Sequence, residues 1–170
     1  ASAANKLGDT PLLAACQAGS LEIAEFLVVK GADVSAANKL GDTPLLAACQ
    51  VGNLALATML LDKGANASAV NTIGDTPMRA AVASGSAELA RELVARGANV
   101  TSREDGANVL TLAILSQNEA CIKFALAQGP KRLPDQDTLD VRDFVQRLAQ
   151  AFGDRAQIGA WIRDGAAPRD

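Results

Sequence analysis

The side chains whose types could do chemistry in this 170-residue chain are three cysteines, Cys16, Cys49 and Cys121, and a recurring carboxylate, Asp9, Asp42 and Asp75. A thiol attacks as its thiolate, which requires a base or a cationic cluster beside it. The chain contains no His and no Tyr, so the commonest general base, the commonest metal ligand and every Ser/His or Cys/His pair are missing. No adjacent basic cluster is placed to depress the pKa of a cysteine. Nor is there a phosphate-binding loop, a dinucleotide glycine motif, a zinc spacing or a paired-carboxylate site. The residues argue against catalysis and name no catalytic group, cofactor or metal.

Composition narrows the partners as well. The net charge is −3, from 16 Lys and Arg against 19 Asp and Glu. No basic run or interleaved aromatic platform exists to follow a phosphate backbone, so nucleic acid is not an expected partner. No apolar signal segment and no run long enough to span a bilayer is present, which removes a membrane from the list. An odd number of cysteines in such a chain suits a reducing compartment, the cytosol or nucleus, or a host cytosol for a delivered effector. With 49% hydrophobic and 21% charged residues, the chain can bury a continuous core.

The elements that must position these groups are written in a period. "ANKLGDTPLLAACQ" occupies residues 4–17 and returns unchanged at 37–50, an offset of 33, and "NTIGDTPMRAAVASG" follows at 71–85. Behind each copy run "GADVSAA", "GANASAV" and "GANVTSR", starting at Gly31, Gly64 and Gly97. A fixed period of this length signals stacked units. Within one unit, Thr10 is a good N-cap and Pro11 fits the first helical position, so a helix starts there. Leu12, Ala15 and Cys16 form one apolar face, and Gly19 ends the run after about two turns. Leu21, Ala24, Leu27 and Val28 form a second short face, with Lys30 at the negative helix end and Gly31 as its stop. Helices this short are marginal alone, so each pair must stack on the next. The paired alanines Ala14/Ala15, Ala47/Ala48 and Ala80/Ala81 suit close approach of stacked helices.

A 33-residue unit carrying G-D-T-P-L-L-A-A, a second helix and then G-A-D/N resembles the ankyrin repeat. The resemblance is strong over residues 5–103 and implies an all-α repeat solenoid, stacked helix pairs with β-turn fingers, in one domain spanning 1–170. Repeats fall at 5–37, 38–70 and 71–103. The family's usual T-P-L-H reads "TPLL" twice and "TPMR" once, putting Leu13, Leu46 and Arg79 at the His position. A degenerate fourth repeat occupies 104–129, with Leu110, Ala113 and Ile114, then Ala120, Phe124 and Leu126, as its apolar positions. A loop follows at 130–138 and a divergent C-terminal helix pair at 139–166, in which Trp161 seals the last layer. The opening letters "SAAN" at 2–5 repeat those at 35–38, and the first unit is as apolar as the second. Both features point to a fragment of a longer array whose first unit is uncapped and could pair with a second copy as a homodimer.

In relatives of this kind the finger tips and the exposed side of the first helix line a concave groove that binds a partner protein. Carried over by position, the tips are Lys6, Leu7 and Asp9, then Lys39, Leu40 and Asp42, then Thr72, Ile73 and Asp75. The helix-side positions are Gln17 and Ala18, Gln50 and Val51, Ala83 and Ser84. Nothing in the repeat's own logic demands an apolar residue at Leu7, Leu40 or Ile73, which makes that column the expected contact stripe. The Asp column precedes each helix start and serves the helix dipole first, and Lys30, Lys63 and Arg96 serve helix ends. Cys16 and Cys49 sit in one layer of successive units, about 8–10 Å apart and beyond the ~7 Å Cα limit for a disulfide, so they should be buried free thiols. Cys121 aligns with the outward Glu22 and Glu88 and should be more exposed. The resemblance implies a protein-binding scaffold without catalysis; the alternatives are a regulatory or targeting segment of a larger enzyme or microbial effector, and a structural spacer.

Overall fold

The computed structural model describes residues 4–98, 112, 113, 116 and 118–127. Among these there are seven helices and no strand: α1 Pro11–Gln17, α2 Leu21–Val29, α3 Pro44–Gln50, α4 Leu54–Asp62, α5 Pro77–Ala83, α6 Ala87–Ala95 and α7 Glu119–Ala127. The expected fourth-repeat residues Leu110 and Ile114, the side chain of Leu126, the loop at 130–138 and the helix pair at 139–166 with Trp161 lie outside the described residues.

Each first helix starts where the Thr-Pro pair says it must. The hydroxyl oxygens of Thr10, Thr43 and Thr76 accept from the N–H groups of Leu13, Leu46 and Arg79, each at 3.2 Å, and a Pro follows each cap. One orphan backbone N–H is thereby satisfied and another is removed by the proline. The second helices use Asn53 and Ser86, which accept from Leu56 N–H at 3.1 Å and Leu89 N–H at 3.4 Å. Lys30, Lys63 and Arg96 are the C-cap residues of α2, α4 and α6, as expected. Arg96 also donates to Asp62 of the preceding unit at 2.6 Å and to Glu92 at 2.9 Å. Lys30 Nζ stands 5.6 Å from the centroid of the Phe26 ring.

The first helices form one row, α1 against α3 against α5, and the second helices form another behind it. Packing is closer along the first row, because Ala15, Ala48 and Ala81 let the backbones approach; all three are buried. Leu12, Leu45 and Met78 fill the first-helix column, and Leu60 and Leu93 fill the second-helix column, each at most 1% exposed. Each buried leucine contributes about 1.5–3 kcal/mol relative to an exposed one, which is what seven-residue helices need in order to persist. Ala24 is fully buried, whereas Leu21, Leu27 and Val28 of the first unit are half-buried against the same core.

The fourth unit corrects two expectations. Cys121 is fully buried, not exposed, and Ala120 is exposed, not part of the core. The reason is register. Asn118 accepts the Cys121 N–H at 3.1 Å and so stands where Asn53 and Ser86 stand, 32 rather than 33 residues after Ser86. One residue is lost ahead of α7, which moves Cys121 into the column of the buried Leu56 and Leu89. Ala113, Ile122, Phe124 and Ala125 complete that layer.

Candidate functional site

The fingers are built by an Asx turn that recurs in the first three units. Asn5, Asn38 and Asn71 each accept, through Oδ1, from the N–H groups two and four residues on: Leu7 and Asp9, Leu40 and Asp42, Ile73 and Asp75, at 2.8–3.1 Å. This closes the turn and leaves the first donor of each pair, Leu7, Leu40 or Ile73, exposed at the tip. The amide's other end reaches backwards: Asn38 Nδ2 donates to Asp9 at 2.8 Å and Asn71 Nδ2 to Asp42 at 2.7 Å. Backbone bonds run parallel to these, from Lys39 N–H to the Leu7 carbonyl at 3.0 Å and from Thr72 N–H to the Leu40 carbonyl at 2.9 Å. Lys39 Nζ donates to the Lys6 carbonyl at 2.8 Å, and the Thr72 hydroxyl to the Leu40 carbonyl at 3.0 Å.

The ladder gives the Asp column a role that the helix dipole alone did not supply. Each of Asp9 and Asp42 is the acceptor that fixes the next finger. Hydrogen bonds from Asn38 first and Asn5 second hold the Asp9 carboxyl below the usual carboxylate range. Asp75 accepts instead from Arg79 Nε at 3.2 Å. The Asn column went unread as a positioning element because a single Asn before a turn reads only as turn chemistry; its second function requires two units side by side. Replacing the buried Asn71 by Ala should destabilise the fold by roughly 1–2 kcal/mol, and Asn5→Ala, on an exposed finger, by less than half of that. Urea denaturation of the two variants reads the difference.

The ladder holds Leu7, Leu40 and Ile73 in a row on the finger tips, 61%, 54% and 76% exposed. Lys6, Lys39 and Thr72 flank them and are exposed, while Asp9, Asp42 and Asp75 are half-buried in the ladder. On the helix side Gln17, Ala18, Gln50, Val51, Ala83 and Ser84 are all exposed. Gln50, Asp75 and Ser84 come together with Arg79, Ala80, Ala83 and Leu112 around an open hollow of about 250 Å³. Arg79 was missed as a groove residue: Leu13 and Leu46 in its column are buried, and only the side chain's length carries its guanidinium out to the hollow.

The thiols have no such setting. Cys16, Cys49 and Cys121 are unpaired and buried. Desolvation pushes Cys16 and Cys49 up to about 12 and raises Cys121 as well, the opposite of what a nucleophile needs.

A family model for ankyrin repeats in three copies matches residues 1–71, and one for a single ankyrin repeat matches residues 73–105. The chain belongs to the ankyrin repeat family. Ankyrin repeats are generally protein–protein interaction modules and are typically non-catalytic. No curated protein matches the chain. Within this ankyrin domain, no helix among the described residues is long and apolar enough to cross a membrane.

Proposed function

We propose that this ankyrin domain is a rigid scaffold, without catalysis of its own, that grips a partner protein through its finger tips and the inner side of the first helices. The observation that carries the reading is the row of three large apolar side chains, Leu7, Leu40 and Ile73, all more than half exposed. Exposed apolar residues are ordinary when scattered, but here a hydrogen-bonded ladder sets them at a fixed spacing along one edge. Pre-organisation of this kind lowers the ordering cost of binding. Lys6, Lys39 and Thr72 supply a polar rim; Gln17, Gln50, Val51 and Ser84 supply the floor. Three unpaired thiols suit a reducing compartment.

The test replaces Leu7, Leu40 and Ile73 together by Ser. A partner isolated on the unaltered domain and measured by titration calorimetry should bind the triple variant about 10- to 100-fold more weakly, the range for losing a small cluster of interface anchors. The melting temperature should stay close to that of the parent, since surface changes of this sort cost about 0.5 kcal/mol or less apiece. A matched loss of stability would identify the three side chains as packing rather than contact residues, and the reading would fail.

A further inference from the structure

The three tips repeat one another down to their bonds. Asn5, Asn38 and Asn71 close the same turn, so Leu7, Leu40 and Ile73 leave the backbone at the same place in each finger. Each finger runs into a first helix, and α1, α3 and α5 pack in one row, which sets neighbouring tips about 8–10 Å apart. A partner lying along the row must therefore offer apolar side chains from one of its faces at that interval. In an extended strand, side chains on one face recur at about 6.7 Å and then at about 13.4 Å, and neither value meets the row. In an α-helix, residues seven apart share a face and rise about 10.5 Å; a helix crossing the row at about 25° projects that to about 9.5 Å.

The backbone of the tips makes the same selection. The N–H groups of Leu7, Leu40 and Ile73 donate to the turn asparagines, and those of Lys39 and Thr72 donate to the Leu7 and Leu40 carbonyls of the finger before. An incoming strand draws its affinity from open main-chain donors and acceptors along an edge, and here they are already engaged. A helix bonds its own backbone and needs only side-chain contact from the surface. Charge supplies the remaining chemistry. Lys6 and Lys39 are exposed beside Leu7 and Leu40, whereas the Asp9 and Asp42 carboxylates are half-buried and accept from Asn38 and Asn71. Lys39 Nζ uses one donor on the Lys6 carbonyl at 2.8 Å, and an ammonium has three. The tips thus turn cations outward, which a segment bearing carboxylates complements.

We propose that the row Leu7, Leu40 and Ile73 receives an acidic amphipathic helix laid across the fingers, with large apolar residues seven apart and Asp or Glu flanking those that meet Leu7 and Leu40. This rests on the tips being the contact surface, and adds the form of the partner that meets them.

In the test, random peptides of about 24 residues, long enough as helices for three positions seven apart, are displayed on phage and selected on the unaltered chain. Those recovered are synthesised and titrated by fluorescence anisotropy. They should carry Leu, Ile, Met or Phe seven apart, with Asp and Glu outnumbering Lys and Arg, and should gain helical circular dichroism on binding. Leu7→Ser, Leu40→Ser and Ile73→Ser together should weaken their binding about tenfold or more. Lys6→Glu and Lys39→Glu together should weaken it by a similar factor at low salt and by less at high salt. Peptides that are lost on the triple Ser variant, yet alternate apolar and polar letters and bind without gaining helix, would overturn the helical partner and leave the tips as the contact surface. Peptides that bind the triple Ser variant as well as the parent would end both readings.

Discussion

Leu56→Ala lowers the unfolding free energy by about 2–5 kcal/mol, while Ile23→Ala, at the same position one repeat earlier, lowers it by less than about 1 kcal/mol. The two side chains hold the same position on their helices and have nearly the same size. They differ in cover. Leu56 has no exposed surface, so truncation removes its transfer free energy and leaves a cavity that the short, stacked helices on either side close only in part. Ile23 keeps 55% of its surface in water, and Ala regains part of the loss by its better helix propensity. Urea denaturation of both variants measures the contrast. Equal losses would mean that the layers do not stack as described.

Gly41→Val should cost roughly 2–4 kcal/mol, from two sources that a control separates. Gly41 has φ +78°, a left-handed conformation that costs an L-residue about 1–2 kcal/mol and a β-branched one more. A Cβ there would also lie 3.0 Å from the Asn71 Cα and 3.2 Å from the Thr72 backbone nitrogen, atoms of the third finger that cannot rotate away. Relieving that contact pushes the fingers apart and stretches the Thr72 N–H bond to the Leu40 carbonyl and the Asn71–Asp42 bond. Gly64 has φ +88° but no atom within 4 Å of its would-be Cβ, so Gly64→Val carries the conformational cost alone. The excess of the first variant over the second, read from denaturation midpoints, is the price of separating the fingers. In the partner-binding assay Gly41→Val should also weaken capture, because Leu40 and Ile73 lose their fixed spacing; Gly64→Val should not.

Local chemistry explains what could be read without coordinates. Thr10-Pro11, Thr43-Pro44 and Thr76-Pro77 mark helix starts through bonds that span three residues, and the structure finds those caps where the letters put them. The period placed Leu7, Leu40 and Ile73 on turn tips, and all three are exposed. Cys16 and Cys49, expected as buried free thiols, are that. The fourth unit escaped because one missing residue ahead of Asn118 rotates α7 by one position, and an apolar run of short length tolerates either register on paper. Only packing against α6 selects the one that buries Cys121.

The letters by themselves determined the unit: where each short helix begins and ends, which of its sides is apolar, and that such helices must lean on neighbours. Those properties rest on bonds and contacts within a few residues, which a repeated string states three times over. Tertiary structure alone decided what passes between units. The Asn amide that reaches a carboxylate 29 residues away, the Arg96 guanidinium on Asp62 of the preceding unit, and the burial of Ala47 and Leu56 where Ala14 and Ile23 are exposed arise only once the units are set side by side, and their energies depend on distances that no single repeat contains.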